Sequence, residues 1–277
     1  MKRNVSEHKT EKRHISLIVP VHNEELRIRR GICRICDYFE INGYEYEILI
    51  TEDGSTDKTV EIAQDLQNTN NKIILHSSKK RIGKGRAISN SMLLAKKEFV
   101  AYMDVDLAAD PSEFERLFNK INDYDIVIGS RLLRGTLPPI ERPFNRTFFS
   151  FFYSRFFRIL FRNPIIDPQC GFKLFRKEIV SELFKNISTT GFAFDSEVIV
   201  KAYSLNYKIV EVPIIWSHDK ASQLLVRQQM IEMGKDLFRI WYESHVLWIN
   251  NQNVYPQKRG SRIGRLLFWV LRKIYEK

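Results

Sequence analysis

The stretch Phe99-Val100-Ala101-Tyr102-Met103-Asp104-Val105-Asp106 decides the fold. Its first five residues are apolar without interruption, enough for one strand and too few for a helix. A strand apolar on both sides belongs inside a parallel sheet. The acidic pair ends the run. Outward from it the same pattern repeats: apolar, largely β-branched runs at 15–21, 46–50 and 72–76 precede it, and one at 125–129 follows. Between them lie segments of helical spacing. Leu26, Ile28, Ile32, Ile35 and Tyr38/Phe39 mark one over 24–39, and others run over 56–67 (capped by Ser55 or Thr56), 83–97 and 112–121. Strand and helix alternate five times in the first 130 residues, which predicts an α/β, doubly wound, Rossmann-like sheet.

Open α/β sheets bind ligands beyond the carboxyl ends of their strands. Here those ends carry His22-Asn23-Glu24, Glu52-Asp53, Asp104/Asp106 and Ser130-Arg131. Asp104 and Asp106 repel each other unless a cation lies between them. Carboxylate oxygens suit Mg²⁺ or Mn²⁺ held jointly with a diphosphate. The alternative is a pair of loop aspartates capping the helix after Pro111. Asp53 reads either as a base or ribose contact or as a turn residue. Gly83-Lys84-Gly85-Arg86 lacks the P-loop spacing. It reads either as a basic loop contacting phosphate at a helix start or as a solvated loop.

The net charge is +11, from 44 Lys+Arg against 33 Asp+Glu. It is segregated: net +3 in residues 1–14, +6 in 131–162 and +6 in 256–277, with the rest mildly acidic. Such a distribution suits phosphates, nucleic acid or an anionic membrane surface. Two segments favour lipid. Residues 144–161 hold eight of the nineteen Phe. As a helix they place Arg146, Ser150, Tyr153 and Phe157 on one face and Arg155, Arg158 and Arg162 on nearly the opposite one. Residues 261–277 set Ile263, Leu266, Leu267, Val270 and Ile274 against Arg262, Arg265, Arg272 and Lys273, with Trp269 and Tyr275 of the kind enriched at membrane interfaces. Both read as helices resting at lipid headgroups, or as helices packed on the domain or a partner. A nucleic-acid module is disfavoured, because an acidic pair at the sheet edge opposes a polyanion.

Cys33, Cys36 and Cys170 describe no disulfide framework, and one CxxC without a second pair makes no zinc site. Reduced thiols on an ordinary helix are expected. The N-terminal residues are polar, without the pattern of a signal peptide. The longest uncharged stretch, Ser244 to Gln257, is rich in Asn and Gln and falls short of the roughly 18 apolar residues a spanning helix needs. The expectation is a peripheral protein in a reducing compartment. Its division is a polar arm (1–13), one catalytic domain (14–245) and a basic amphipathic tail (246–277).

Several motifs in fixed order carry a family resemblance. Val19-Pro20-Val21-His22-Asn23-Glu24, Asp53-Gly54-Ser55-Thr56-Asp57, Gly83-Lys84-Gly85 and Asp104-Val105-Asp106-Leu107-Ala108 resemble the inverting family-2 glycosyltransferases of GT-A fold. Gly129-Ser130-Arg131, Asp167-Pro168-Gln169-Cys170-Gly171-Phe172-Lys173-Leu174-Phe175 and Phe194-Asp195-Ser196-Glu197 narrow it to the dolichyl-phosphate β-glucosyltransferase branch, a sister of dolichyl-phosphate mannose synthase. The likeness covers about residues 15–240.

The resemblance implies transfer of a hexose from a nucleotide sugar to dolichyl or another polyprenyl phosphate, and the reduced thiols and absent signal pattern suit the cytoplasmic face of a membrane. Pro20, His22, Glu24, Asp53, Lys84 and Met103 to Asp106 would line the donor site. His22 departs from the aromatic ring, often Tyr, usual there. Asp104 and Asp106 would hold Mg²⁺ or Mn²⁺, a Lewis acid for the departing nucleoside diphosphate. Arg131, Arg146 and Ser150 would grip the acceptor phosphate. Asp167 is the candidate for orienting the acceptor, with a turn residue before Pro168 as its alternative. Lys220 and Arg227 would reach the diphosphate from a late loop over the donor. Ala108 stands where mannose synthases often have Gln, which favours the glucosyl branch. UDP-glucose or UDP-N-acetylglucosamine are the expected donors. The alternatives are GDP-mannose, or an enzyme extending a lipid-linked glycan or surface polysaccharide.

Overall fold

A computed structural model describes residues 13–133, 144–217 and 226–250, with 144–150, 226–231 and 245–250 described in backbone only. The elements run β1 (His14–Val21), α1 (Ile28–Ile41), β2 (Glu45–Asp53), α2 (Thr59–Thr69), β3 (Ile73–Ser78), α3 (Lys84–Leu94), β4 (Phe99–Met103), α4 (Phe114–Ile121) and β5 (Ile126–Ser130), then α5 (Phe144–Phe161), β6 (Phe172–Arg176), α6 (Lys177–Phe184), α7 (Phe194–Ser204), β7 (Ile209–Pro213) and α8 (Val226–Asn250). They build one seven-stranded sheet of order β3-β2-β1-β4-β6-β5-β7. β6 lies antiparallel to both its neighbours, and the other strand pairs are parallel.

The five expected strands and the alternating helices are present. β1 and β4 sit inside the sheet with Leu17, Ile18, Val100 and Ala101 fully buried, as strands covered on both faces require. Boundaries moved where polar groups found partners. β2 continues through Glu52 and Asp53, beyond the expected end at Ile50, because these residues pair with Ser77 and Ser78 of β3 and Glu52 Oε2 accepts a hydrogen bond from Ser77 Oγ at 2.6 Å. α3 ends at Leu94 and not at Lys97. The amides of Lys96 and Lys97 instead donate to Glu47 Oε1 (2.7 Å) and Ser16 Oγ (2.9 Å) beneath the sheet's amino edge. α1 begins at Ile28, after a turn in which the Arg27 and Ile28 amides donate to Glu24 O. Ser55 and Thr56 do not cap α2: the Asn23 amide donates to Ser55 Oγ (3.0 Å) and the Thr56 amide to Asn23 Oδ1 (2.8 Å), which ties the ends of β1 and β2 together.

β6 was not legible as a strand. It inserts between β4 and β5, and its second residue is Lys173, fully buried between Phe172 and Leu174. The helix expected over 144–161 is α5. The arm's first twelve residues and the tail after Asn250 lie outside the described residues, including the helix expected over 261–277. α8 runs on to Asn250, past position 246 where the tail was expected to start. Arg13 is engaged, its guanidinium donating to Glu115 (2.6 Å) and Tyr44 OH (2.7 Å). Cys33 and Cys36 are free thiols on α1, as expected. Among the described residues, no helix is long and apolar enough to cross a membrane.

Candidate active site

The carboxyl ends of β1, β2 and β4 lie side by side and bring the first group of expected residues together. His22 Nδ1 stands 2.8 Å from the main-chain oxygen of Asp53. A carbonyl only accepts, so Nδ1 carries the proton. Asp53 itself is buried, and its carboxylate accepts the amides of Ile82 (2.6 Å) and Gly83 (3.0 Å). It anchors the loop before α3 to the end of β2 and is not a turn residue. Pro20 is half-buried in β1 opposite Thr51. Met103 and Val105 are 1% and 3% exposed, so only their backbone can face a donor.

Asp104 and Asp106 follow β4 directly. Lys84, the first residue of α3, reaches across to Asp104 with Nζ 2.6 Å from Oδ1. Asp106 Oδ1 accepts the Ala108 amide at 3.0 Å, and Leu107 between them adopts φ 55°. A left-handed leucine is strained, and such strain collects at functional turns. Neither aspartate caps the next helix; Asp110 does, accepting the Ser112 amide at 2.9 Å. Burial raises the pKa of Asp106, and the neighbouring charge of Asp104 raises it further. Glu24 is raised by burial too, against the opposing pull of Arg27, and both aspartates add to the rise. Glu24 therefore feels the acidic pair while its Oε2 accepts from Arg27 Nε at 2.7 Å. Excess negative charge at a partly open strand end is the environment a divalent cation relieves. Among the described residues no cluster of three or more His, Cys, Asp or Glu side chains could hold a metal ion. The two aspartates thus fit a cation completed by other oxygens, such as a diphosphate and water, and not one caged by protein.

The second group assembles from distant segments. Arg131, just after β5, is held by Asp167: Nε donates to Oδ2 (2.8 Å), Nη2 to Oδ1 (2.7 Å), and the Arg131 amide to Oδ2 (2.8 Å). This is the fork geometry in which Arg binds a carboxylate. Asp167 is 2% exposed and Arg131 18%. Burial alone would raise the Asp167 pKa, but the guanidinium outweighs it and the net shift is downward. Arg131 is shifted upward: burial opposes the charge, while Asp167 and, more weakly, Asp104 favour it. Trp216 lies under the guanidinium, 5.1 Å from ring centroid to Cζ. Asp167 is therefore the residue that holds Arg131.

Sequence reasoning quoted Lys173, Gly171 and Asp195 without giving them roles. Lys173 Nζ donates to the carbonyls of Pro168 (3.0 Å) and Cys170 (2.6 Å) and to Asp195 Oδ1, which also accepts from Tyr102 OH. A buried ammonium thus ties the 167–171 turn to β4 and α7. Burial pushes the Cys170 thiol in that turn up to about 12, so it stays protonated. A Cβ on Gly171 would run into the carboxylate of Asp104, so a side chain there would have to displace it. Glu211 of β7 was overlooked entirely. Its two oxygens accept the amides of Ile166 (2.6 Å) and Asp167 (2.7 Å). A lone Glu in a short edge strand gives no signal in sequence. The side chains of Arg146, Ser150 and Arg227 are outside the described residues, as is Lys220.

An acidic, cation-seeking strand end beside a fixed arginine, on a sheet of this topology, defines a class. Glycosyl transferase family 2 matches residues 16–184, and the chain belongs to that family and is a glycosyltransferase. It is 32% identical over 238 residues to a dolichyl-phosphate beta-glucosyltransferase of Trichomonas vaginalis, covering 82% of this chain and 72% of that protein. With the dolichyl-phosphate beta-glucosyltransferase of Homo sapiens it shares 28% identity over 242 residues, 82% of this chain and 75% of the relative. Among solved structures, glucosyl-3-phosphoglycerate synthase of Mycobacterium tuberculosis, in complex with Mn²⁺, UDP-glucose and phosphoglyceric acid, matches with a TM-score of 0.62 at 17% identity, over 83% of this chain and 80% of that one. At that identity the shared property is the fold, the GT-A sheet.

Proposed function

We propose that this glycosyltransferase moves glucose from UDP-glucose to dolichyl phosphate, with inversion, at a membrane surface. The observation that carries the reading is the pairing of Asp104/Asp106 with the Arg131–Asp167 fork across the carboxyl edge of one sheet. The printed activity of the curated relatives supports glucose and dolichyl phosphate, and the UDP-glucose complex of the same fold supports the donor. A phosphate oxygen of the acceptor attacks the anomeric carbon, the bond from that carbon to the UDP oxygen breaks, and UDP leaves with the electron pair. Attack from the opposite face turns an α-linked donor into a β-linked product.

Asp104 and Asp106 would hold Mg²⁺ or Mn²⁺, which when bound neutralises charge on the leaving diphosphate. Arg131 meets the acceptor phosphate with a guanidinium whose direction Asp167 fixes. Its charge persists at any working pH. The acceptor oxygen is already anionic near neutral pH, so positioning and charge stabilisation suffice without a strong base. Arg146, Ser150, Lys220 and Arg227 complete the proposed phosphate contacts. Pro20, His22, Glu24, Asp53 and the backbone of Met103 and Val105 form the proposed nucleotide pocket.

α5 supports the membrane reading. Tyr153 and Phe157 turn inward, Tyr153 OH lying 2.7 Å from Ser196 Oγ. The outer face shows Phe151, Phe152, Phe156 and Ile159, each between 45% and 59% exposed, interleaved with exposed Arg155, Arg158 and Arg162. Apolar rings beside arginines match a headgroup layer of anionic lipid.

The test is transfer from UDP-glucose, UDP-N-acetylglucosamine and GDP-mannose to dolichyl phosphate in anionic vesicles, with Mn²⁺ or EDTA, read as lipid-phase sugar by mass spectrometry. UDP-glucose alone is expected to serve. Asp106→Ala is expected to lose roughly 10²–10³-fold in kcat, the scale set by removing one transition-state charge contact. Transfer from GDP-mannose alone, or none to the lipid phosphate, rejects the reading.

A further inference from the structure

The Lys84–Asp104 contact joins the residue that opens α3 to the first of the two acidic residues. Nζ sits 2.6 Å from Oδ1, with 26% and 29% of the two side chains exposed. A lysine here is well placed to act as more than a diphosphate contact. An ammonium on Asp104 stands where a divalent cation would approach, and two positive charges on one carboxylate oppose each other.

The surrounding chain fixes the backbone of Lys84. The Gly83 amide is held by Asp53 (3.0 Å) and the Gly85 amide by Thr190 O (2.8 Å). Gly83 itself adopts φ 96°, and a Cβ there would lie 2.5 Å from Thr190 O. The helix start therefore cannot shift to release the pair. While Nζ rests on Asp104, the ring of Phe192 also lies 5.6 Å from it, a cation–π contact that the ammonium can keep when it leaves Asp104. A four-carbon stem with a pinned root can swing from the carboxylate to an incoming phosphate without moving the backbone.

We propose that Lys84 is the site's own counter-cation. In the donor-free protein it occupies Asp104 and disfavours a metal ion alone. When a nucleoside diphosphate arrives with the metal, Lys84 moves from Asp104 to the diphosphate, so metal and nucleotide bind together and neither is held tightly without the other. This rests on the donor reading above and adds an order of binding to it.

The experiment is Mn²⁺ binding by electron paramagnetic resonance and titration calorimetry, with and without UDP, on the full chain and on Lys84→Met and Lys84→Arg. The unsubstituted protein should bind Mn²⁺ weakly alone and at least tenfold more tightly with UDP. Lys84→Met should bind Mn²⁺ alone about tenfold more tightly than the unsubstituted protein, and the gain from UDP should shrink. Lys84→Arg, which keeps the charge, should retain the original pattern. Asp104 is partly solvated, so its lost partner is replaced by water; circular dichroism checks that the variants are folded. If Lys84→Met binds Mn²⁺ alone no more tightly, the counter-cation role is overturned, while glucose transfer by the unsubstituted protein would leave the proposed function standing. If Mn²⁺ binds to none of the proteins even with UDP, both fall.

Discussion

The two halves of the site hold their buried aspartates in different ways. On the proposed donor side, at the ends of β1, β2 and β4, the buried carboxylate Asp53 is satisfied by backbone amides of Ile82 and Gly83. On the proposed acceptor side, Asp167 and Asp195 are each satisfied by a cation from another segment, Arg131 and Lys173. The difference teaches what each half loses when one partner is removed. Amides pin a loop with several neutral hydrogen bonds, and losing one strands no second charge. A buried ion pair fixes two segments together, because separating it strands a charge in a poor solvent.

Lys173→Met is the hardest test of that contrast. It leaves Asp195 buried and unpaired and should destabilise the fold by about 3–5 kcal/mol. Thermal unfolding followed by circular dichroism should show a fall of roughly 10 °C at this chain length. Lys173→Met/Asp195→Asn should recover much of the loss, since the stranded charge is gone. A single variant as stable as the original would mean that the acceptor half is not held by its ion pairs.

Next comes Asp167→Asn, expected to cost about 2 kcal/mol, less than the buried limit because Arg131 keeps 18% exposure. Its signature is the pH dependence. The folded pKa of Asp167 lies below its ordinary 3.8, so the unfolded chain binds the proton more readily. The pair's contribution is therefore complete above about pH 4 and is lost as pH falls through the depressed folded value. The stability gap between the original protein and Asp167→Asn should close on acidification below pH 4. A gap that does not change with pH would show that the charge of Asp167 is not what matters.

Asp53→Asn should have the smallest effect, about 1 kcal/mol, because one amide oxygen can still accept the loop's N–H groups. The donor KM should rise while the acceptor KM stays put. A larger loss than that of Lys173→Met would reverse the comparison.

The donor half was largely legible in sequence. Its strands are continuous apolar runs, and its functional residues follow them at once, so locating a strand end also located His22, Asp53 and Asp104. Local order carried that information. The acceptor half resisted for the opposite reason. β6 has a lysine as its second residue and so breaks the apolar pattern, although its ammonium is neutralised by Asp195 and hydrogen-bonded to the Pro168 and Cys170 carbonyls. Arg131 was located at a strand end, and only its role and Asp167 came from resemblance. That they form a single fork, and that Asp167 orients Arg131, depends on bringing together residues far apart in the chain.

The sequence by itself determined five of the seven strands, the acidic pair at their edge and the family, because these are written in runs of adjacent residues. Only the tertiary structure decided which charges meet: Lys84 with Asp104, Arg131 with Asp167, Lys173 with Asp195. The physical reason is that burial and ion pairing depend on distance in space, and strand insertion such as that of β6 between β4 and β5 sets those distances without leaving a local pattern in the chain.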